Sequence, residues 1–241
     1  MTPAQVQAAL RTRFASDGRP QRLRVDNGPP WGSTGGDLPT ALELWVWGLD
    51  IAVVHNRPRR CTENGRVERS HGVLARWAEP AKCATADELQ TALTAVSRMQ
   101  REGYPALAGR SRAATYPALA TGGRPYDPAR EGELFDERRA WARLARGTCR
   151  RRVDKVGRIS VYNRSLGVGR AWAKQEVVVG FDAEAVAWVI RDAQGTVVRT
   201  HPAPELSRER ILALDIAHRR PRRPAPAKPH DRPPAGEPYS R

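Results

Sequence analysis

Cysteine is scarce in this chain, and its scarcity excludes a class of protein. The 241 residues include only Cys61, Cys83 and Cys149, and no two of them form a C-x-x-C pair. Because isolated cysteines in odd number do not build a disulfide framework, we expect a reducing compartment and a cytoplasmic location. His55 and His71 alternate with the first two cysteines, but the gaps do not match a zinc finger, so no zinc site is expected.

The sequence also has no long apolar run, and its acidic residues are few compared with its basic residues. No stretch approaches the ~18 apolar residues of a membrane span, and residues 1–9 have a polar, helical pattern instead of a signal peptide. Asp and Glu number 26 against 41 Lys and Arg, which gives a net charge of +15. Such a surplus most often serves nucleic acid, because phosphate neutralisation releases counterions. A solvated surface in an arginine-rich protein is the alternative.

Two short segments each place one carboxylate beside an Asn-Gly pair. Asp26 opens an Asp-Asn-Gly turn after Gln21–Val25, whose alternating apolar residues predict a strand. Glu68 lies in Asn64–Arg69, which opens a helical pattern. Divalent cations are often held by one or two carboxylates plus phosphate oxygens, so an acid at a strand end and an acid in a first helical turn suit one ion. The alternative is an ordinary turn and an acid favoured by the helix dipole.

On these two motifs the chain resembles the catalytic core and C-terminal domain of insertion-sequence transposases, relatives of the retroviral integrases. The resemblance covers roughly Gln5–Glu102 and, more loosely, Arg150–Leu206. It implies an RNase H-like fold and three catalytic acids, of which Asp26 is the second and Glu68 the third. These acids would hold Mg²⁺ or Mn²⁺ for phosphodiester hydrolysis and strand transfer. The implied partner is double-stranded DNA, at transposon ends and target, at the nucleoid, and an active form would be a homo-oligomer.

The first acid of the family has no counterpart in this sequence. It normally lies on an earlier strand, whereas the residues before Asp26 predict one helix, Thr2–Phe14, and a turn that contains Asp17. We therefore expect an incomplete core that lacks the first three strands, and the enzymatic status stays open. The chain is a transposase completed by another chain, a non-catalytic DNA-binding regulator of a full-length transposase, or a remnant that folds poorly.

Composition divides the chain into four segments. Residues 1–105 predict the partial α/β core, and 106–145, which contain several prolines and glycines, predict a linker. Short strands separated by glycines predict an all-β unit over 146–206, and the resemblance implies an SH3-like barrel there. Residues 207–241 predict a disordered basic tail, because a stretch rich in Pro and Arg buries too little apolar surface to order itself.

Two groups of mainly basic residues are candidate DNA contacts. The first surrounds Glu68, where arginines can bind phosphates in a bidentate manner and Asn64 also suits a helix cap. The second lies at the start of the predicted barrel and suits contacts to the DNA backbone that do not depend on base sequence. The candidates are Arg59, Arg60, Asn64, Arg66, Arg69, Arg150, Arg151, Arg152, Lys155 and Arg158. A solvated basic face is the alternative for both groups.

Overall fold

The computed structural model describes residues 1–32, 38–57, 65–117 and 124–217. In the first half the elements are α1 (Pro3–Asp17), β1 (Arg22–Val25), α2 (Ala41–Gly48), β2 (Ala52–His55), α3 (Gly65–Trp77), α4 (Ala86–Glu102) and α5 (Arg112–Thr115). In the second half they are α6 (Glu131–Leu134), α7 (Glu137–Leu144), β3 (Thr148–Arg152), β4 (Arg158–Val161), β5 (Arg164–Gly167), β6 (Glu176–Asp182), β7 (Ala187–Arg191), β8 (Val197–Pro202) and α8 (Arg208–Leu212). The expected mixture of helices and sheets is confirmed.

Side-chain caps determine where several helices begin. Thr2 and Thr40 precede α1 and α2, and each threonine hydroxyl accepts a hydrogen bond from a backbone N–H in the first turn. The side chains of Gln5 and Glu43 in turn accept hydrogen bonds from the N–H groups of these threonines, which completes two capping boxes. Thr85 caps α4. Four-residue motifs in the sequence therefore fix these helix starts without help from distant residues.

The strands β1 and β2 form a parallel pair. Their register runs from Arg22 opposite Ala52 to Val25 opposite His55. The helix α2 lies between them in sequence and contacts β2. Within the described residues, no third strand joins this pair. Because the carboxyl ends of parallel strands share one edge, the residues that follow Val25 and His55 are neighbours.

The second half of the chain contains an open antiparallel sheet in the order β3-β6-β7-β8. The remaining two strands, β4 and β5, pair only with each other among the described residues, so the expected closed barrel is not formed. A turn after β3 separates them from the sheet. There the Oδ1 atom of Asp154 accepts hydrogen bonds from the backbone N–H groups of Val156, at 2.9 Å, and Arg158, at 2.8 Å.

One hydrophobic core includes residues from both halves of the chain. It contains Leu42, Leu44 and Trp45 of α2 together with Val177 and Ile190 of the antiparallel sheet. Two side-chain hydrogen bonds also join distant segments. The hydroxyl of Tyr162 donates to the carbonyl of Pro39 at 2.7 Å, and Nε1 of Trp141 donates to the carbonyl of Leu206 at 3.0 Å.

The helices α3, α4 and α5 pack mainly on one another. Trp77 of α3 contacts Tyr104 edge to face, with ring centroids 5.4 Å apart. Within the described chain, none of the buried residues of the main core comes from 65–117. These three helices therefore form a helical unit beside the core.

The boundaries of the four segments stay a prediction, but parts of the predicted linker and of the predicted tail form helices. Part of the predicted linker, 124–145, contains α6 and α7 and buries Phe135 and Ala140 in the core. Of the predicted tail, 207–217 contain α8 and bury Ile211 and Ile216 in the same core. The rest of the predicted tail, 218–241, lies outside the described residues.

No described helix is both long enough and apolar enough to cross a membrane.

Candidate functional site

Asp26 lies at the carboxyl end of β1 with an exposed side chain. Asn27 and Gly32 fix the conformation of the loop that begins at Asp26. The Nδ2 group of Asn27 donates to the carbonyl of Asn56, which follows β2, at 2.8 Å. Gly32 lies so close to the carbonyl oxygen of Asn27 that an added Cβ would be 1.9 Å away, so only glycine fits there. The backbone therefore fixes the position of Asp26 at an open edge of the parallel pair.

A buried carboxylate and a histidine lie at the same end of the pair. His55 is the last residue of β2 and pairs with Val25. Its Nε2 atom lies 2.7 Å from Oε1 of Glu43. Glu43 is buried, and its other carboxylate oxygen accepts from the N–H of Thr40 at 2.7 Å. The sequence motif Thr40–Glu43 signals the cap, but nothing in the sequence signals the contact to His55.

Glu68 lies in the first turn of α3 and is exposed. An acid in this position interacts favourably with the positive end of the helix dipole. Arg69 is exposed next to it, and Arg66 belongs to the same helix. The helix packs on α4, whereas Asp26 belongs to the β1–β2 pair, so the two acids lie on different pairs of elements. Arg59, Arg60 and Asn64 fall outside the described residues.

The donor set for a metal ion is small in the described part of the chain. No group of three or more His, Cys, Asp or Glu side chains there is arranged to hold a metal ion. Mg²⁺ is commonly bound through one or two carboxylates together with substrate phosphates. The residues present therefore do not form a metal centre on their own, and the assignment of Mg²⁺ or Mn²⁺ to Asp26 and Glu68 stays a prediction.

The basic residues of β3 and the turn after it divide into two groups. Arg150 and Arg152 are exposed, as are Lys155 in the turn and Arg158 at the start of β4. Arg151 is half-buried, and its Nε group donates to the carbonyl of Ser160 in β4 at 3.0 Å. Exposed and half-buried arginines therefore alternate along β3, because successive side chains of a strand point to opposite faces.

A buried acid with a perturbed pKa lies away from these candidates. Glu131 is buried and accepts hydrogen bonds from Arg11 at 2.9 and 2.6 Å, from Nε1 of Trp45 at 3.3 Å, and from the Tyr126 hydroxyl. Burial raises the pKa of Glu131, but the hydrogen bonds from Arg11 and Tyr126 outweigh it, so the pKa falls below its usual value. Burial and then the bond to Glu131 raise the pKa of Tyr126.

Perturbed pKa values often mark functional sites, but ion-pair networks within the core produce them as well. Arg11 belongs to α1, Trp45 to α2 and Glu131 to α6, so this network joins three helices. Another buried acid, Glu205, accepts from Arg164 at 2.8 Å and from Nε1 of Trp188 at 2.6 Å. Both groups stabilise the fold and do not form the candidate site.

No protein-family model matches this chain. The resemblance to integrase-type transposases therefore stays a prediction from the two sequence motifs.

Proposed function

We propose that this chain binds double-stranded DNA in an integrase-type transposition reaction, with Asp26 and Glu68 as two of the three acids of that reaction. The observation that carries the proposal is the position of Asp26. It is exposed at the carboxyl end of a parallel strand, and open α/β sheets bind their ligands at the carboxyl ends of their strands. Glu68, in the first turn of an amphipathic helix, is the acid that the resemblance pairs with it.

Charge supports DNA as the partner. The net charge is +15, and four exposed cations lie close together in sequence, from β3 to the first residue of β4, at Arg150, Arg152, Lys155 and Arg158. Phosphate contacts of this kind supply most of the non-specific affinity of proteins for DNA. The proposal places the protein in the cytoplasm at the nucleoid, and a homo-oligomer belongs to it if the chain is active.

A second candidate function is DNA binding without catalysis, as a regulator of a complete transposase. The small donor set favours it, because within the described residues no third metal-binding side chain joins Asp26 or Glu68 in a group. On either proposal no catalytic step is assigned to this chain alone.

A binding and joining assay tests both proposals. The purified chain is mixed with a labelled DNA duplex, with Mg²⁺ or Mn²⁺ present, at ~50 and ~200 mM salt. We expect binding that weakens steeply with salt, because each phosphate contact releases counterions, and no joining of DNA strands. Affinity that does not change with salt would contradict phosphate-dominated binding. Strand joining that Asp26→Asn and Glu68→Gln both abolish would show that the chain holds a complete site.

A further inference from the structure

The antiparallel sheet has one face on the core and one face turned away from it. Cys149 of β3, Val179 of β6 and Ile190 of β7 occupy one row of paired residues and are all part of the core. In antiparallel sheets, directly opposite residues point to the same face, and the next residue along each strand points to the other. The residues one step further along therefore define the outer face.

The outer face carries a row in which two arginines flank a valine. Arg150 pairs with Val178, and Val178 pairs with Arg191. Arg150 and Arg191 are thus two strands apart, roughly 9–10 Å between their backbones at the usual strand spacing. Arg152 lies two residues beyond Arg150 on the same face, because side chains of a strand alternate. The sequence did not signal Arg191, since the strand Ala187–Arg191 reads as a continuous apolar run.

Gly180 gives Arg191 its position. A Cβ on Gly180 would lie 3.2 Å from Nη1 of Arg191 and 3.7 Å from Cγ2 of Thr148. The guanidinium group therefore lies beside the backbone of β6, and a Cβ at position 180 would press on it. A guanidinium that packs against a sheet loses less conformational freedom when it binds a phosphate than one on a free side chain.

These arginines have few competing acidic partners, although Nε of Arg152 donates to the carbonyl of Lys174 at 3.2 Å. No ion pair of Arg191 occurs within the part of the chain that the structure describes. Arg150 has one neighbouring acid, Glu176, at 3.7 Å, and both side chains are more than half exposed. Exposed pairs of this kind contribute little, so they give way readily to a ligand phosphate.

We propose that the outer face of the antiparallel sheet binds the phosphate backbone of duplex DNA through Arg150, Arg152 and Arg191, with Arg191 held over Gly180. This inference rests on the proposed function and adds to it the face that touches DNA. It also removes Arg151 from the contact set, because its side chain lies on the face of the strand opposite to Arg150 and Arg152 and is half-buried against β4.

The test compares two arginines of the same sheet on opposite faces. Arg191→Gln removes a charge from the outer face. Arg199→Gln is the matched control, because Arg199 is exposed on β8 but pairs with Ile190, which faces the core. Binding of the full chain to a fluorescein-labelled duplex is followed by anisotropy at several salt concentrations, and thermal melts check folding.

We expect Arg191→Gln to weaken binding roughly five- to tenfold at ~100 mM salt and to lower the salt slope by about one. Arg150→Gln should act similarly, and Arg199→Gln should change neither quantity. Gly180→Ala is a second variant that keeps every charge. Its Cβ presses on the guanidinium of Arg191 and shifts it slightly, so it should weaken binding by less than Arg191→Gln does, without changing net charge, and it tests the contact even if Arg191→Gln folds poorly.

The outcomes separate this inference from the proposed function. If the unmodified chain binds DNA and the Arg191 and Arg199 variants lose affinity equally, the outer face is not the contact surface, although DNA binding stands. If Arg191→Gln and Gly180→Ala both bind like the unmodified chain, the inference is likewise overturned. If the unmodified chain does not bind the duplex at ~50 mM salt, the proposed function itself fails.

Discussion

Arg150, Arg151 and Arg152 follow one another in β3, yet the fold gives them different roles. The middle arginine hydrogen-bonds to the carbonyl of Ser160, whereas its two neighbours are exposed on the other side of the sheet. Arg11 has a third role, because it pairs with the buried Glu131 at 2.6 Å and lies over the ring of Trp45. An arginine side chain therefore serves as an exposed charge, as a hydrogen-bond donor between strands or as the partner in a buried ion pair. Its position in the sheet or helix determines which role it has.

The first prediction concerns the buried carboxylate of Glu131. Glu131→Gln should lower the free energy of unfolding at pH 7 by roughly 3 kcal/mol, because it leaves Arg11 without its charged partner. Since folding lowers the pKa of Glu131, this stabilisation is complete above the unfolded carboxylate pKa of about 4.3 and is lost as pH falls through the lower folded value. Urea unfolding between pH 7 and pH 3 measures the difference between wild type and variant, which should shrink toward the acid end.

Glu133→Gln is the matched control for this prediction. Glu133 belongs to the same helix and pairs with Arg130 at 2.6 Å, but both side chains of this pair are more than half exposed. Exposed pairs contribute about 0–1 kcal/mol. An equal loss of stability in the two variants would contradict the assignment of Glu131 to a buried network.

At the scale of elements, the contact between α2 and the segment that leads into α7 holds the two halves of the chain together. Gly48 is the last residue of α2, and the ring of Phe135 occupies the space beside it. The carbonyl of Gly48 also accepts a hydrogen bond from the backbone N–H of Asp136 at 3.0 Å. The absence of a side chain at position 48 is therefore a requirement of packing.

The second prediction tests that requirement. Gly48→Ala should destabilise the protein by about 1–3 kcal/mol, because its Cβ would lie 2.1 Å from Cε2 of Phe135. The clash outweighs the gain of roughly 0.5–1 kcal/mol that alanine normally brings to a helix. Equilibrium unfolding in urea measures the change.

Gly72→Ala is the control, since Gly72 lies inside α3 and nothing approaches its added Cβ within 4 Å. This variant should be neutral or slightly more stable. A Gly48→Ala protein as stable as the Gly72→Ala protein would mean that Phe135 moves aside at no cost.

Local signals in the sequence predicted much of the first half. The pattern Thr85–Glu88 gave the start of α4, and Gln21–Val25 gave β1 to within one residue. The pairing partners could not be predicted, because they join residues far apart in the chain. Arg11 and Glu131 are 120 positions apart, and no sequence pattern connects them. The position of Asp26 at a strand end could be predicted from the sequence. The position of Arg191 over Gly180 could not, because it depends on the register of β6 and β7.

At the scale of the whole molecule, the core joins the two ends of the chain. Phe14 of α1 and Ile216, which follows α8, belong to the same cluster of buried residues. Nε2 of Gln7 donates to the carbonyl of Leu212 at 3.0 Å, and Arg208 donates to the carbonyl of Phe135 at 2.8 Å. The antiparallel sheet therefore shares its core with elements that precede it and elements that follow it in the sequence.

The third prediction concerns a chain that ends at Leu206. It loses the buried side chains of Ile211 and Ile216, each 2 % exposed or less. Loss of two such side chains should lower the free energy of unfolding by roughly 4 kcal/mol or more. The unfolding midpoint in urea measures the effect.

A chain that ends at Ala217 is the control, because the sequence predicts the remaining residues to be a disordered tail that adds nothing to the core. Its unfolding midpoint should equal that of the full chain. Equal midpoints for the two shortened chains would contradict a core that includes α8.

The shared core also determines which premature stop codons the protein can tolerate. A stop codon anywhere before the codon for Ile216 removes part of the only large buried cluster in the described chain. Such an allele would yield a less stable chain that cellular proteases degrade more readily, because the loss of even about 1–2 kcal/mol can change abundance several-fold. Truncation from the C-terminal side is therefore expected to lower the amount of protein as soon as Ile216 is lost.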